Sequence, residues 1–241
     1  MILHFLNGIC IIVKAILQSS KQSCKKASMI IAATNSKGGV GKSTIAVHLA
    51  VWLADRGKKV LLIDADHQES SSRWIEGIES NVDFLTLHQP DDIVAKVADI
   101  ANRYEYTIID GPAGLDEITR AILDVADKAL LPCGPSLLDI QAADQTLRIL
   151  NSRRVVRGGK PEAMFVRNKL QAKTRLSRAL SGALEKLAIP VAQSGLYLRQ
   201  AYADAVVQKS VVMRMSGAEK AAQEIDSLFT EVCGEQATNV G

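Results

Sequence analysis

Short apolar runs of strand length alternate along the chain with longer stretches in which apolar and polar residues repeat at helical spacing. Most of the apolar runs end at Gly, Pro, Asp or Asn, as strands commonly do. We predict strands at residues 29–34, 59–64, 83–87, 106–110, 129–132, 163–167 and 189–192. Between and after them we predict helices at residues 43–55, 70–79, 91–103, 116–125, 140–156, 175–187 and 218–232.

This alternation predicts an α/β fold with a single doubly wound, mostly parallel sheet and helices on both faces. The length of 241 residues suits one such domain with one core. We assign the domain to residues 29–232, an N-terminal extension to residues 1–28 and a tail to residues 233–241. In open sheets of this kind ligands bind beyond the carboxyl ends of the strands, so the polar residues there are the candidates for chemistry.

The segment after the first predicted strand, Ser-Lys-Gly-Gly-Val-Gly-Lys-Ser-Thr at residues 36–44, has the pattern of a phosphate-binding loop. Its end, Gly41-Lys42-Ser43, is intact, although Ser36 stands where the pattern has its first glycine. Backbone N–H groups and the helix that follows bind phosphate, and the Ser43 hydroxyl is a ligand for Mg²⁺. The predicted nucleotide contacts in this loop are Lys37, Gly38, Gly39, Val40, Gly41, Lys42, Ser43 and Thr44.

Lys37 is an additional lysine in this loop. Because Lys42 already serves the β- and γ-phosphates of its own site, a second cation is best used towards the nucleotide of a partner subunit. The loop therefore predicts an ATPase that switches between monomer and dimer.

Two further strands end in aspartates. Asp64 and Asp66 follow residues 59–63 at a spacing that puts both carboxylates on one face of a continuing strand, and Asp110 ends the strand at residues 106–110. In phosphoryl transfer such carboxylates support Mg²⁺ or orient the attacking water. The alternative for the first pair is that one aspartate caps the helix that begins near Ser70.

These motifs resemble the ParA/MinD group of deviant Walker ATPases. The resemblance rests on the loop, on Asp-Ala-Asp-His-Gln at residues 64–68, on Ile-Asp-Gly-Pro at residues 109–112 and on Leu-Pro-Cys-Gly-Pro-Ser at residues 131–136. It covers the chain from residue 29 to about residue 229. The family usually has proline where this chain has His67, which puts the local turn in doubt but not the chemistry.

The resemblance implies a role for each site residue. Lys37 contacts the partner's nucleotide, Lys42 is the loop lysine and Asp66 directs hydrolysis, so these three are the catalytic candidates. Ser43, Asp66 and Asp110 hold Mg²⁺. Asp64 and Asn168 contribute to nucleotide binding, with Asn168 at a position that commonly touches adenine. The implied cofactors are ATP and Mg²⁺.

The charge of the chain is unevenly distributed. Residues 148–178 contain ten basic residues and one acid, a net charge of +9, so the total of +3 leaves −6 for the rest. Such a segment favours an anionic partner such as nucleic acid. Together with the family's DNA-contacting arginine turn, it makes Arg175, Arg178, Arg199 and Lys209 the candidates for non-specific contacts with double-stranded DNA. The alternative is that these cations only form a solvated face or favour a helix end.

The resemblance also implies partners and a location. An ATP-dependent homodimer on nucleoid DNA in the cytoplasm positions a cargo, and an adaptor of ParB or McdB type triggers hydrolysis. The cargo is either a plasmid or chromosome or a protein organelle such as the carboxysome, and no residue decides between them. A MinD-like membrane-associated ATPase is an alternative, which the acidic residues at 219–235 disfavour. A metabolic ATP-dependent enzyme is another, for which the scattered cysteines offer no cluster site.

The first 28 residues fit none of these assignments. Residues 1–17 are apolar but are interrupted by His4, Asn7 and Lys14, and they are shorter than a membrane span of about 20 residues. The segment also lacks the basic leader and cleavage site of a signal peptide. We interpret it as an upstream start or a dispensable extension, with a membrane-associating segment as the alternative.

Overall fold

A computed structural model describes residues 28–234 of the chain. Its sheet has six strands in the order β3-β2-β4-β1-β5-β6, and every pairing in it is parallel. The predicted doubly wound sheet is confirmed, and within the described residues it is wholly parallel. The strands are β1 (Met29–Ala33), β2 (Val60–Asp64), β3 (Val82–Thr86), β4 (Tyr106–Asp110), β5 (Lys128–Cys133) and β6 (Glu162–Arg167).

Eight α-helices in this part of the chain cover the two faces of the sheet. They are α1 (Lys42–Ala54), α2 (Ser70–Glu76), α3 (Pro90–Ala101), α4 (Glu117–Val125), α5 (Leu137–Val156), α6 (Arg175–Glu185), α7 (Gln200–Val207) and α8 (Glu219–Cys233), with a 3₁₀ turn at Val212–Arg214.

Alternate residues of each strand enter different cores, as the period of two in a strand requires. In β1, for example, Ile31 packs with α1, α2 and α8, whereas Ile30 packs with α3 and α4 on the other face. A third cluster joins β5 and β6 to α5 and α6. The central strands are buried on both faces and therefore consist of nearly continuous apolar residues.

The expected strand at residues 189–192 is wrong. This segment forms only an isolated bridge between Val191 and Phe165, flanked by bonds of Phe165 to the Pro190 carbonyl and the Ala192 N–H. Pro190 has no N–H to donate to a ladder. Conversely, α7 was not predicted. None of the described helices is long and apolar enough to cross a membrane.

The parallel register brings the polar strand ends together. Ala33, the last residue of β1, is paired with Asp110, and Asp110 is paired with Asp64. The phosphate-loop sequence leaves the sheet beside both aspartates and enters α1 at Lys42. The candidate site therefore lies at the carboxyl edge of β1, β2 and β4.

Candidate nucleotide site

The loop before α1 has a backbone that favours glycine at two positions. Gly39 has φ 72° and Gly41, the N-cap of α1, has φ 100°. A Cβ on Gly41 would also lie 2.2 Å from the Asn168 Nδ2 atom. Both the left-handed conformation and the close packing therefore favour glycine before Lys42.

Side chains of distant elements hold the start of the loop. The Ser36 N–H donates to Thr146 Oγ1 of α5 at 3.0 Å, and Asn35 Nδ2 donates to the Pro132 carbonyl of β5 at 2.7 Å. Asn35 Oδ1 in turn accepts from the Lys37 N–H at 3.0 Å. These bonds fix the loop to β5 and α5.

The two loop lysines point to different places. Lys42 is buried in the loop, where its Nζ donates to the Lys37 carbonyl at 3.1 Å. Burial lowers the pKa of Lys42, and the nearby charges of Asp110 and Asp66 oppose that change. The Lys37 amine instead pairs with the carboxylate of Asp139, in the first turn of α5.

Asp64 is a buried structural carboxylate. Its Oδ1 accepts from the Asp66 N–H at 3.1 Å and its Oδ2 accepts from the Ser72 N–H at 2.8 Å. Both oxygens are thus used to shape the turn after β2 and to bond the first turn of α2. Asp64 is therefore the aspartate of this pair that caps the helix, which was the alternative to a role in chemistry.

Asp110 is equally buried but has no such partners. Neither of its carboxylate oxygens has a hydrogen bond, although the hydroxyls of Ser43 and Ser71 lie near enough to affect it. Burial raises the pKa of Asp110 to about 7, with Asp64 adding to this increase, while Ser43, Ser71 and Lys42 oppose it. A buried carboxylate without partners is energetically costly, so Asp110 is a candidate for binding a metal ion or another ligand.

Mg²⁺ is a ligand that fits this arrangement. It prefers oxygen ligands and usually binds one or two carboxylates together with waters and substrate phosphates. Asp110 supplies two unpaired carboxylate oxygens beside the Ser43 hydroxyl. Within residues 28–234, no three His, Cys, Asp or Glu side chains are grouped so that they could hold a metal ion.

A cavity of about 480 Å³ opens above the loop. This volume lies within the range of small-molecule sites. Asp66 is partly exposed in its wall, and its Oδ1 accepts from the Gln68 N–H at 3.0 Å. Lys37 is not among the lining residues, which are Gly38, Gly39, Gly41, Lys42, Ser43, Thr44, Asp66, Gln68, Ser70, Trp74, Ala113, Lys169 and Val206.

The glycine-rich loop, the buried Lys42 and the carboxylates of Asp64 and Asp110 together form a phosphate site at a helix N-terminus. A model of the CobQ/CobB/MinD/ParA nucleotide binding domain matches residues 31–212. The chain belongs to this ParA/MinD family. Its nucleotide-binding fold is therefore shown by sequence as well as by geometry.

Two relatives within the family are named for carboxysome distribution and for septum site determination. The chain is 30% identical over 207 residues to the maintenance of carboxysome distribution protein A of Halothiobacillus neapolitanus, covering 84% of this chain and 95% of that protein. It is 31% identical over 170 residues to the septum site-determining protein MinD of Escherichia coli, covering 55% of this chain and 63% of that protein.

Solved structures of the family have the same fold. An ATP complex of Cyanothece McdA matches with a TM-score of 0.76 at 17% identity, covering 88% of this chain and 99% of that one. The MinD cell division protein of Aquifex aeolicus matches with a TM-score of 0.72 at 24% identity, covering 87% and 98%.

A smaller cavity of about 60 Å³ continues from the loop of this ParA/MinD domain. Asn168 lies in its wall, but the amide Nδ2 donates to the Val40 carbonyl at 2.6 Å and Oδ1 accepts from the Lys169 N–H. The predicted contact of Asn168 with adenine stays a prediction. Lys169, whose Nζ donates to the Gly39 carbonyl at 2.6 Å, was missed because nothing in its local sequence marks it.

His48 is a second residue that the sequence did not single out. It is fully buried on α1, where Nδ1 donates to the Thr44 carbonyl at 2.7 Å and Nε2 accepts from the Val212 N–H at 3.2 Å. Burial lowers the pKa of His48 to about 4. The neutral ring thus joins the loop helix to the 3₁₀ turn.

The structure does not gather the predicted DNA contacts of this family member at one point. Arg175 and Arg178 are exposed on α6, which packs on the edge strand β6. Arg199 precedes α7 and pairs with Glu224 of α8, through a bond from Nε at 2.9 Å and a second, shorter contact. Lys209 is exposed after α7 and packs near Gly77. No contact with DNA is tested by this arrangement, and these four assignments stay predictions.

Proposed function

We propose that the chain is an ATPase that forms an ATP-dependent sandwich dimer and positions an intracellular cargo on DNA. The observation that carries the proposal is the separation of the two loop lysines. Lys42 forms part of the cavity wall. The Lys37 amine does not line the cavity and pairs with Asp139 instead. Lys37 is therefore available at the rim to meet the phosphate of a second subunit once the pair with Asp139 opens.

The remaining site residues have separate roles in this proposal. Backbone N–H groups of the loop and the Lys42 amine hold the phosphates. Ser43, Asp66 and Asp110 would hold Mg²⁺, which would neutralise phosphate charge, and Asp66 at the edge of the cavity also orients the attacking water. The structure of MinD from Pyrococcus horikoshii was solved with Mg-ADP, which supports this choice of cofactors.

The relatives favour a protein organelle as the cargo, with an adaptor protein and nucleoid DNA as the partners. The alignment with the carboxysome distribution protein extends over 95% of that protein, so we favour a protein organelle such as the carboxysome over a plasmid or chromosome. An adaptor of McdB type would stimulate hydrolysis, and exposed cations would hold the dimer on nucleoid DNA in the cytoplasm. Non-specific phosphate contacts are sensitive to salt and suit a surface that must be released.

The dimer is tested by Lys37→Ala. We expect this variant to bind ATP, since Lys42 and the loop backbone are intact, but to remain a monomer when ATP and Mg²⁺ are added. Light scattering after gel filtration measures the mass, and nucleotide binding is measured separately by calorimetry.

Two companion variants sharpen the result. Lys96→Ala removes an exposed lysine of α3 that pairs with Asp92 and should leave ATP-dependent dimerisation unchanged. Asp139→Asn releases Lys37 and should favour the dimer at lower ATP concentration. A normal ATP-dependent dimer of Lys37→Ala would refute the cross-subunit role of this lysine.

A further inference from the structure

Lys169 follows β6 and reaches the phosphate loop from the far side of the candidate site. Its side chain is exposed, and its Nζ donates to the Gly39 carbonyl at 2.6 Å. Within residues 28–234 this carbonyl is the one acceptor of an ammonium group that has three hydrogens to donate. The amine therefore retains donors for a ligand.

Lys169 stands where the two cavities of the site meet. The larger cavity, of about 480 Å³, contains the phosphate loop, and the smaller one, of about 60 Å³, extends from it towards Asn168. Three of the described residues belong to the walls of both cavities, namely Gly41, Thr44 and Lys169. Of these, only Lys169 has a charged side chain. A nucleotide with its phosphates on the loop and its base in the smaller cavity would therefore pass Lys169 with its ribose and first phosphate.

The backbone holds Lys169 in a conformation that a lysine rarely adopts. Its φ is 54°, in the left-handed region. The N–H groups on both sides are fixed, because Asn168 donates to the Cys133 carbonyl at 2.9 Å and Leu170 donates to the Leu196 carbonyl at 3.0 Å. Strained residues of this kind concentrate at functional sites. Glycine would fit this backbone at a lower cost, so the lysine side chain has a use that offsets the strain.

The bond to Gly39 alone does not account for a lysine. The next carbonyl of the loop, that of Val40, already accepts from Asn168 Nδ2 at 2.6 Å, so the segment after β6 is tied to the loop without Lys169. A neutral donor would also serve a carbonyl. A positive charge at the junction of the two cavities is explained by an anion that binds there.

We propose that Lys169 binds the α-phosphate of the nucleotide in its own subunit. This assignment rests on the proposed ATPase function, in which Lys42 and the loop backbone hold the other phosphates. An ammonium group with three donors can keep its bond to the Gly39 carbonyl and donate to a phosphate oxygen as well. Because ADP and ATP both carry the α-phosphate, the contact is made with either nucleotide. Lys37, by contrast, is proposed to meet the nucleotide of the partner subunit.

The experiment compares the binding of ADP and of a non-hydrolysable ATP analogue to the full chain, by calorimetry with Mg²⁺ and without DNA. Lys169→Met removes the charge with little change in side-chain length and should weaken both nucleotides roughly 10-fold, as expected for a hydrogen bond to a charged group. Lys169→Arg keeps the charge and should restore most of this affinity. Lys186→Met, at an exposed lysine that follows α6, makes the same change in net charge and should bind both nucleotides as the wild type does.

A further variant separates nucleotide binding from folding. Lys169→Gly suits the left-handed backbone, so the nucleotide-free protein should unfold at the same urea concentration as the wild type or at a higher one. It should nevertheless lose as much ADP affinity as Lys169→Met. Lower stability of nucleotide-free Lys169→Gly would give Lys169 a structural role and would overturn the proposal.

The remaining outcomes distinguish this contact from the proposed function. Equal ADP affinity in the wild type and Lys169→Met would overturn the contact and leave the proposed ATPase intact. A loss for the ATP analogue alone, confined to samples that light scattering shows to be dimeric, would assign the amine to the partner's nucleotide and would also overturn it. Absence of nucleotide binding by the wild-type chain would overturn both.

Discussion

The cleft above the phosphate loop and the basic segment at residues 148–178 both concentrate charge, but they use it differently. In the cleft, Asp110 is buried with both oxygens unpaired, and Asp66 faces an open cavity. In the basic segment most cations are bound by their neighbours. A run of charge in a sequence therefore shows how many charges are present, and the fold decides which of them can meet a ligand.

Seven of the ten cations in the segment are held within the domain. Arg157 is the clearest case, because its Nη1 donates to the carbonyls of Leu123 at 2.9 Å and Ala126 at 2.6 Å. Lys173, Arg175 and Arg178 have no ion pair or side-chain hydrogen bond in the described structure, and they cluster around the start of α6. The seven that are held are Arg148, Arg153, Arg154, Arg157, Lys160, Arg167 and Lys169.

The largest expected effect lies in the cleft. Asp66→Ala should reduce ATP turnover by about 10²–10⁴-fold, the usual contribution of a group that positions or accepts a proton in the transition state. The variant should still bind ATP and stay longer on DNA as a dimer. Turnover is measured by phosphate release, with Asp144→Ala, an exposed carboxylate of α5 paired with Arg148, as the control. Rapid ATP hydrolysis by Asp66→Ala would contradict the role assigned to Asp66.

Asp110 should make the free energy of unfolding depend on pH. Burial raises its pKa from 3.8 to about 7, so between these values the folded chain holds a proton that the unfolded chain has released. The free energy of unfolding of the metal-free protein should therefore fall by up to a few kcal/mol as the pH rises through this window.

Asp110→Asn should remove that fall. Urea unfolding from pH 4 to pH 8, with a chelator present, gives the difference between the wild type and the variant. His48 contributes the opposite slope between about 4 and 6.5, but it is common to both proteins and cancels. Parallel curves for the two proteins would mean that Asp110 is ionised in the folded state throughout.

In the basic segment the unpaired cations should contribute more to DNA binding than the paired ones. Replacing Lys173, Arg175 and Arg178 together by alanine should weaken DNA binding and lower the slope of log K against log salt by about one for each phosphate that is no longer neutralised. The matched control replaces Arg148, Arg153 and Lys160, which already have acidic partners. Equal losses in the two triple variants, measured by fluorescence anisotropy at several salt concentrations, would contradict the distinction.

The smallest expected effect is at Arg199. Its guanidinium is bound by Glu224, so it offers DNA at most one contact, and Arg199→Glu should lower the salt slope by no more than about one. ATP binding should be unchanged. Arg120→Glu, an exposed site on α4, controls for the change in net charge. An unaltered salt-dependent mobility shift would count against Arg199 as a DNA contact.

Local patterns were sufficient to predict the strands that carry the site. Apolar runs that end in Asp64 and Asp110 and the glycine loop before Lys42 are short-range signals, and the parallel register then brings them to one edge. The contacts between distant segments could not be predicted. Nothing near Lys37 indicates Asp139, and nothing near Gly39 indicates Lys169, because such pairs depend on how loops from separate strands meet.

The two errors in the fold have similar causes. Residues 189–192 have strand composition, but Pro190 supplies no N–H and the segment forms one bridge. Helix α7 begins directly after Arg199, in a segment interpreted as a DNA-contacting turn. The separate roles of Asp64 and Asp110 also required the structure, since both aspartates end apolar strands and only their hydrogen bonds distinguish them.

The parallel direction of all six strands has a practical consequence for following the protein in cells. Every strand begins at the edge of the sheet opposite the phosphate loop, and the connection from α5 to β6 turns there through Gly158 and Gly159. Both glycines have positive φ, and a Cβ added to either of them would have no neighbour within 4 Å. We expect a fluorescent tag inserted between them to leave the nucleotide cavity, the rim at Lys37 and the start of α6 unobstructed.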